Sequence, residues 1–206
     1  MKLIRETITY VEGLHIANLK FDYNMTTNAM LLDRCMDYLV EKDFTLLISL
    51  DGDEYQSGYR VDKHGKSSFA RVAGNIQKLK DTYPEFFEKN VRFNAVLHDR
   101  NSVEECYKSI YGLFGKKPRV SELNTSGIIP ERVEEFVRMF NDKTESFKTA
   151  LTHDPDIKDY FEMEDDASLA YHFMIMNYGG NGIRRKKKLL NSSATKFRTK
   201  FNIFFI

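Results

Sequence analysis

Apolar residues recur along this chain in two rhythms that take turns. Leu3, Ile4, Ile8, Val11 and Leu14 fall at helical spacing and predict a short amphipathic helix over 2–14. Phe21, Tyr23 and Met25 then alternate with polar neighbours, as a half-buried strand does. Leu32, Cys35, Met36, Leu39 and Val40 return to one helical face. The continuous run Phe44 to Ile48 predicts a strand buried on both sides, as in a parallel sheet. A polar stretch from Asp53 to Lys66 reads as a long loop. Phe69, Val72, Ile76 and Leu79 predict a helix that ends before Pro84, and Val91, Phe93, Ala95 and Leu97 the next strand. Ser102 and Glu105 form a capping-box pair at the start of a helix carrying Val103, Cys106, Ile110 and Leu113. Pro118 to Leu123 reads as a short strand. Pro130 suits a first helical turn, ahead of Val133, Phe136, Val137 and Phe140.

A helix followed by four strand–helix units argues for an α/β fold with a parallel sheet or a barrel of βα units. A closed eightfold barrel takes about 250 residues. This chain has 206, and four units cannot close one. The expected fold is therefore a partial parallel βα barrel with helices outside, over residues 1–150. Asp154, Asp156, Glu162, Glu164, Asp165 and Asp166 crowd an acidic extension, 151–183, expected to be partly ordered. Residues 184–206 form a basic tail, expected to be disordered and solvated. The chain as a whole carries +1. Removing the tail's eight Lys and Arg leaves 23 basic residues against 30 acidic, so the body carries −7. The whole-chain balance gives no reason to expect nucleic-acid binding. The basic run and the final phenylalanines offer RNA or an anionic membrane surface as a weaker alternative to a solvated tail. No run approaches a membrane span, and no apolar signal core opens the chain. Cys35 and Cys106 stand far apart on apolar stripes and read as two buried thiols, which fits a reducing, cytoplasmic setting.

Ligands in parallel βα folds bind where the carboxyl ends of the strands converge. Here those ends are Thr26-Thr27-Asn28, Ser49-Leu50-Asp51-Gly52, Leu97-His98-Asp99 and Glu122-Leu123-Asn124, a polar pocket above an apolar floor. Asp51 and Asp53 flank a glycine, the spacing of a metal-dependent nucleotide-sugar transferase, where hard oxygen ligands hold a divalent ion. An acidic turn is the simpler reading of the same residues. A phosphatase with an aspartate nucleophile would need a carboxylate where Ser49 stands. His98 is the one histidine at a strand end, hence the candidate for acid–base work; a polar loop role is the simpler reading.

The same strand ends carry a family likeness. Thr26-Thr27-Asn28, Ile48-Ser49-Leu50-Asp51-Gly52, Tyr59 to Lys63, Gly65 to Phe69, Asn90 to Leu97 and Ser121 to Gly127 follow one another as in radical SAM enzymes that modify peptides. The stretch Phe21 to Asn124 resembles the central part of these SPASM-type maturases. The resemblance implies a partial (β/α)₆ barrel, S-adenosylmethionine (AdoMet), a [4Fe–4S] cluster and a peptide substrate. By the same resemblance Ser49 lies near the AdoMet ribose and Arg60 approaches its carboxylate. Asn28 matches a Thr-Asn-Gly segment in which Ala29 replaces glycine. Glu122 and Asn124 face cofactor or substrate. The family's three-cysteine cluster loop is not in this sequence, nor is a cysteine-rich domain after residue 183. The expectation is a fragment holding strands three to six of the barrel and inactive alone. The alternative is a non-catalytic module completed by a partner chain along an unpaired edge of its first strand.

Overall fold

Four parallel strands form where the pattern places them: β1 (Lys20–Thr27), β2 (Thr45–Ser49), β3 (Val91–Val96) and β4 (Pro118–Ser121). The computed structural model describes residues 1–14, 20–124, 126–154, 157 and 198–204. Each strand pairs in parallel with the one before it: Thr27 lies beside Ile48, Ser49 beside Asn94, and Val96 beside Ser121. A doubly wound sheet would reverse its order at a switch point. This sheet runs β1-β2-β3-β4 without reversal, which is the winding of a barrel wall. The fold is the partial parallel βα barrel expected from the sequence.

The helices between strands are α2 (Met36–Glu41), α3 (Phe69–Thr82), α4 (Pro84–Asn90) and α5 (Val103–Phe114). Alternate strand residues turn toward them and are buried: Tyr23 and Met25, Leu46 and Ile48, Val91, Phe93 and Ala95, then Val120. Val72, Ile76 and Leu79 of α3, Phe87 of α4, and Cys106, Ile110 and Phe114 of α5 are buried with them. Burying each large side chain contributes about 1.5–3 kcal/mol, so this layer is the main source of cohesion. Helix α5 is well bounded. Glu105 N donates to Ser102 Oγ at its start, and Gly115 ends it at φ +71°, a left-handed cap that favours glycine.

Several expectations change. β2 is buried on one side only; Thr45 is exposed and Leu47 and Ser49 are half-buried. The floor is also more polar than expected, since Asn24, Thr26, Arg92, Asn94, Arg119 and Ser121 share the parity opposite the buried one. Pro84 starts a helix rather than only ending one, because its missing amide costs nothing in a first turn. The stripe expected on α6 (Val133–Met139) stays uncovered, with Val133 and Val137 exposed. Periodicity locates an apolar face but not what covers it. A further helix, α7 (Lys143–His153), packs against α5 where no clear pattern was visible. Within the tail expected to be disordered, Arg198–Phe204 forms β5, which lies beside β1. Thr, Phe and Ile in this segment favour strand. The edge expected to be open on β1 therefore has a neighbour, and β4 ends the sheet. The acidic extension, apart from Asp154 and Ile157, and the basic run lie outside the described residues.

The chain divides into two units. The first contains the sheet from Asp22 onward, α2 to α7 and most of β5. The second contains α1 (Lys2–Glu12), whose Ile4, Ile8 and Val11 are buried as its spacing predicts. Among the described residues no helix is long and apolar enough to cross a membrane.

Candidate functional site

The ends of β2 and β3 are tied together by one buried carboxylate. Asp51 is 3% exposed. Its Oδ2 accepts Arg60 Nε at 2.7 Å, and its Oδ1 accepts Arg60 Nη2 at 2.6 Å and Val96 N at 2.9 Å. The Asp51 carbonyl accepts Asn101 Nδ2 at 3.1 Å and the Cys106 thiol at 3.4 Å. A buried charge needs this many partners to offset lost hydration. Gly52 follows at φ +131°, and a Cβ there would lie 1.7 Å from Gln56 Oε1. That oxygen accepts Asp53 N, while Gln56 N donates to Asp53 Oδ1, so Asp53 caps the 3₁₀ turn Gln56–Tyr59. For the transferase reading, Asp51 is committed to Arg60 and Asp53 to this turn. No group of three or more His, Cys, Asp or Glu among the described residues is arranged to hold a metal ion.

His98 is 2% exposed. Arg100 N donates to its Nδ1 at 3.1 Å, which leaves the neutral ring's proton on Nε2, 3.9 Å from Asp51 Oδ2. Burial holds its pKa below the ordinary 6.5, against the opposing pull of Asp51 and Asp99. The buried ring accepts the Arg100 amide, which fits the polar loop role. The unfolded chain takes up the proton first as pH falls. The stability that depends on neutral His98 is therefore complete above about pH 6.5 and declines below it, by at most about 1.4 kcal/mol per pH unit. Urea midpoints measured from pH 7.5 to 5.5 should fall in the wild type and fall less in His98→Gln. Equal slopes would contradict this assignment.

Asn101 was not singled out by its sequence. Its Nδ2 donates to the carbonyls of Asp51 and Val96, its Oδ1 accepts His98 N, and its own carbonyl accepts Asn141 Nδ2. Its one local signal is an amide three residues after a strand-end histidine. On the rim, Arg100 stacks over the Tyr59 ring at 4.1 Å while Tyr59 Oη donates to Asp99 at 3.0 Å.

The residues singled out by resemblance distribute as follows. Ser49 ends β2, half-buried, and its hydroxyl has no partner among the described residues. Asn28, exposed, follows Thr27, which is the last residue of β1 and pairs with Ile48. Ala29 is buried at φ +57°. Left-handed backbone costs a non-glycine residue about 1–2 kcal/mol, and burying one methyl returns about 0.8 kcal/mol. That near-balance explains how alanine stands where the likeness places glycine. Asn75 of α3 secures this turn by donating to the Ala29 and Met30 carbonyls. Asp51, two residues beyond Ser49, anchors Arg60 above β2 and β3. Glu122 and Asn124 leave β4, two strands or about 10 Å from β2. Glu122 Oε1 accepts the amide of Lys143, the first residue of α7, and Asn124 Oδ1 accepts Ser126 N. The structure thus brings Asn28, Ser49 and Arg60 to one end of the arc and sets Glu122 and Asn124 apart at its side. A groove of about 550 Å³ lies elsewhere, among Asp53, Glu54, Tyr55, Phe69, Ser109 and Leu113, and includes none of these five.

Two thiols are the chain's whole cysteine complement. Cys106 is buried, and burial raises its pKa far above the ordinary range. Cys35 is half-buried, not buried as expected, because it sits between a 3₁₀ turn and α2 rather than within a packed helix. Three convergent thiolates hold a [4Fe–4S] cluster at an open iron, and this donor set does not fit one. Native iodoacetamide labelling should modify Cys35 and spare Cys106 until denaturant is added. Equal native labelling of both would refute the burial of Cys106.

A parallel barrel wall with polar groups at its carboxyl ends is the class of fold this geometry defines. Comparison with solved structures agrees. The chain is similar to native anSMEcpe, an anaerobic sulfatase-maturating radical SAM enzyme, with bound AdoMet and Kp18Cys peptide (18% identity, TM-score 0.50, 66% of this chain and 41% of that one). It is similar also to native anSMEcpe with bound AdoMet and Cp18Cys peptide (17%, TM-score 0.52, 66% and 40%) and with bound AdoMet alone (16%, TM-score 0.53, 72% and 41%). The chain spans about two fifths of the length of these structures. At such identity the likeness shows the fold alone, the partial parallel βα barrel. No family model and no curated protein matches the sequence.

Proposed function

We propose that this chain is the AdoMet-holding arc of a radical SAM enzyme that acts on a peptide, and that it is inactive alone. Two observations carry the reading: a Ser49 hydroxyl at the end of β2 with no partner among the described residues, and an Arg60 guanidinium anchored by Asp51 two residues further on. In this reading Ser49 bonds the ribose and Arg60 the carboxylate of AdoMet, with Asn28 beside them. A charge-assisted guanidinium–carboxylate pair is strong and directional. Given an iron–sulfur cluster held outside this chain, AdoMet would supply radical hydrogen abstraction there. Glu122 and Asn124 form the adjoining wall, toward cofactor or peptide. The two thiols of this chain do not assemble the cluster, so the radical step belongs to a longer or completed protein.

Anaerobic incubation with iron and sulfide should leave the chain without a stoichiometric [4Fe–4S] cluster. Equilibrium dialysis should show AdoMet binding that Arg60→Ala weakens about tenfold or more. A full cluster would overturn the statement of inactivity, and absence of AdoMet binding would overturn the reading itself. Among the described residues β4 has no strand on its outer side, which favours a second reading, a non-catalytic module completed by a partner chain. A stable monomer that co-purifies with nothing on gel filtration speaks against it.

A further inference from the structure

Arg60 is held on one edge and open on the other. Its Nε and one Nη2 proton form the side-on fork to Asp51. The end-on edge, made by Nη1 and the second Nη2 proton, has no partner among the described residues, and the side chain is 27% exposed. Asp51 is fixed in turn by Val96 N, Asn101 and the end of β2. We propose that Asp51 is a positioning residue for carboxylate recognition, orienting the Arg60 guanidinium so that its end-on edge meets the carboxylate of AdoMet. This rests on the AdoMet reading above.

Two physical consequences follow. An arginine loses substantial rotamer freedom when it is immobilised, and here that loss falls on folding rather than on binding. The Asp51–Arg60 pair is also formally neutral. A ligand carboxylate is then recognised by directed N–H bonds more than by net charge, so its affinity changes little with salt. Without the Asp51 charge, Arg60 becomes a free cation that attracts anions without orienting them.

The test is calorimetry on the full chain with AdoMet and with decarboxylated AdoMet, which keeps the sulfonium, the amine and the adenosine. The wild type should prefer AdoMet about ten- to hundredfold, and the preference should hold as ionic strength rises. Asp51→Asn should lose most of that preference, with decarboxylated AdoMet bound within about twofold of the wild type on the same scale. What preference remains should fall with salt. Asp51→Glu keeps a carboxylate on a longer stem and should fall between the two; it also serves if Asp51→Asn does not fold. A wild-type preference in Asp51→Asn overturns the proposal and leaves the AdoMet reading standing. So does an equal loss of both ligands, which marks a merely structural role. If Asp51→Asn is unfolded, a wild-type preference in Asp51→Glu overturns it instead. A wild type that binds neither ligand overturns the AdoMet reading and this proposal together.

Discussion

Asn101→Ala is expected to lower the unfolding free energy by about 3–4 kcal/mol, although Asn101 touches no proposed ligand. The substitution removes two bonds donated by Nδ2, to the Asp51 and Val96 carbonyls, and one accepted by Oδ1 from His98 N. Each leaves behind a buried backbone group that water reaches poorly, at about 1–3 kcal/mol apiece, relieved in part by relaxation. Urea unfolding followed by circular dichroism measures the loss. Asn101→Asp keeps the acceptor but sets a buried carboxylate oxygen against the two carbonyls, so it should destabilise at least as much as alanine. A change below about 1 kcal/mol for alanine would mean that the network at the ends of β2 and β3 is dispensable.

Phe93→Ala should cost about 3–5 kcal/mol, the range of large-to-small changes in a packed core. Phe93 is fully buried at the middle of β3. Its ring stacks on Phe114 of α5 with centroids 5.3 Å apart and meets Phe87 of α4 edge-on at 6.4 Å. Truncation empties the space between two helices and the sheet, and neither helix can close it without losing its other contacts. Thr45→Ala, at an exposed strand position, should stay within about 0.5 kcal/mol of wild type. Denaturant midpoints of the two variants decide the matter, and a loss at Phe93 no larger than at Thr45 would discredit this core.

The architecture was legible where sequence rhythm and burial coincide. Val72, Ile76 and Leu79 mark α3, and Val91, Phe93 and Ala95 mark β3, because each set lies on one face of a regular element. Helix α4 escaped notice since its seven residues fit barely two turns and its opening proline resembles a stop. Helix α7 escaped because it buries only Ala150 fully, so no apolar stripe announces it. At the site, the likeness drew attention to Ser49 and Arg60, and both sit at the end of β2 or anchored to it. The role of Asp51 was hidden behind a familiar acidic spacing. Sequence shows that Asp51 and Asp53 flank a glycine but not that one faces inward to a guanidinium nine residues on while the other caps a turn. Long-range pairings such as Asn101 with Asp51 leave no local periodicity at all.

The order of the sheet has a consequence for synthesis. Each of β2, β3 and β4 docks on the strand translated just before it. Loop closure between successive neighbours is entropically mild, so the wall can assemble as the polypeptide leaves the ribosome. Until its own successor emerges, every newly docked strand is a temporary rim with open backbone groups. Pauses in translation after a strand would lengthen the life of such rims and with it the chance of association between nascent chains.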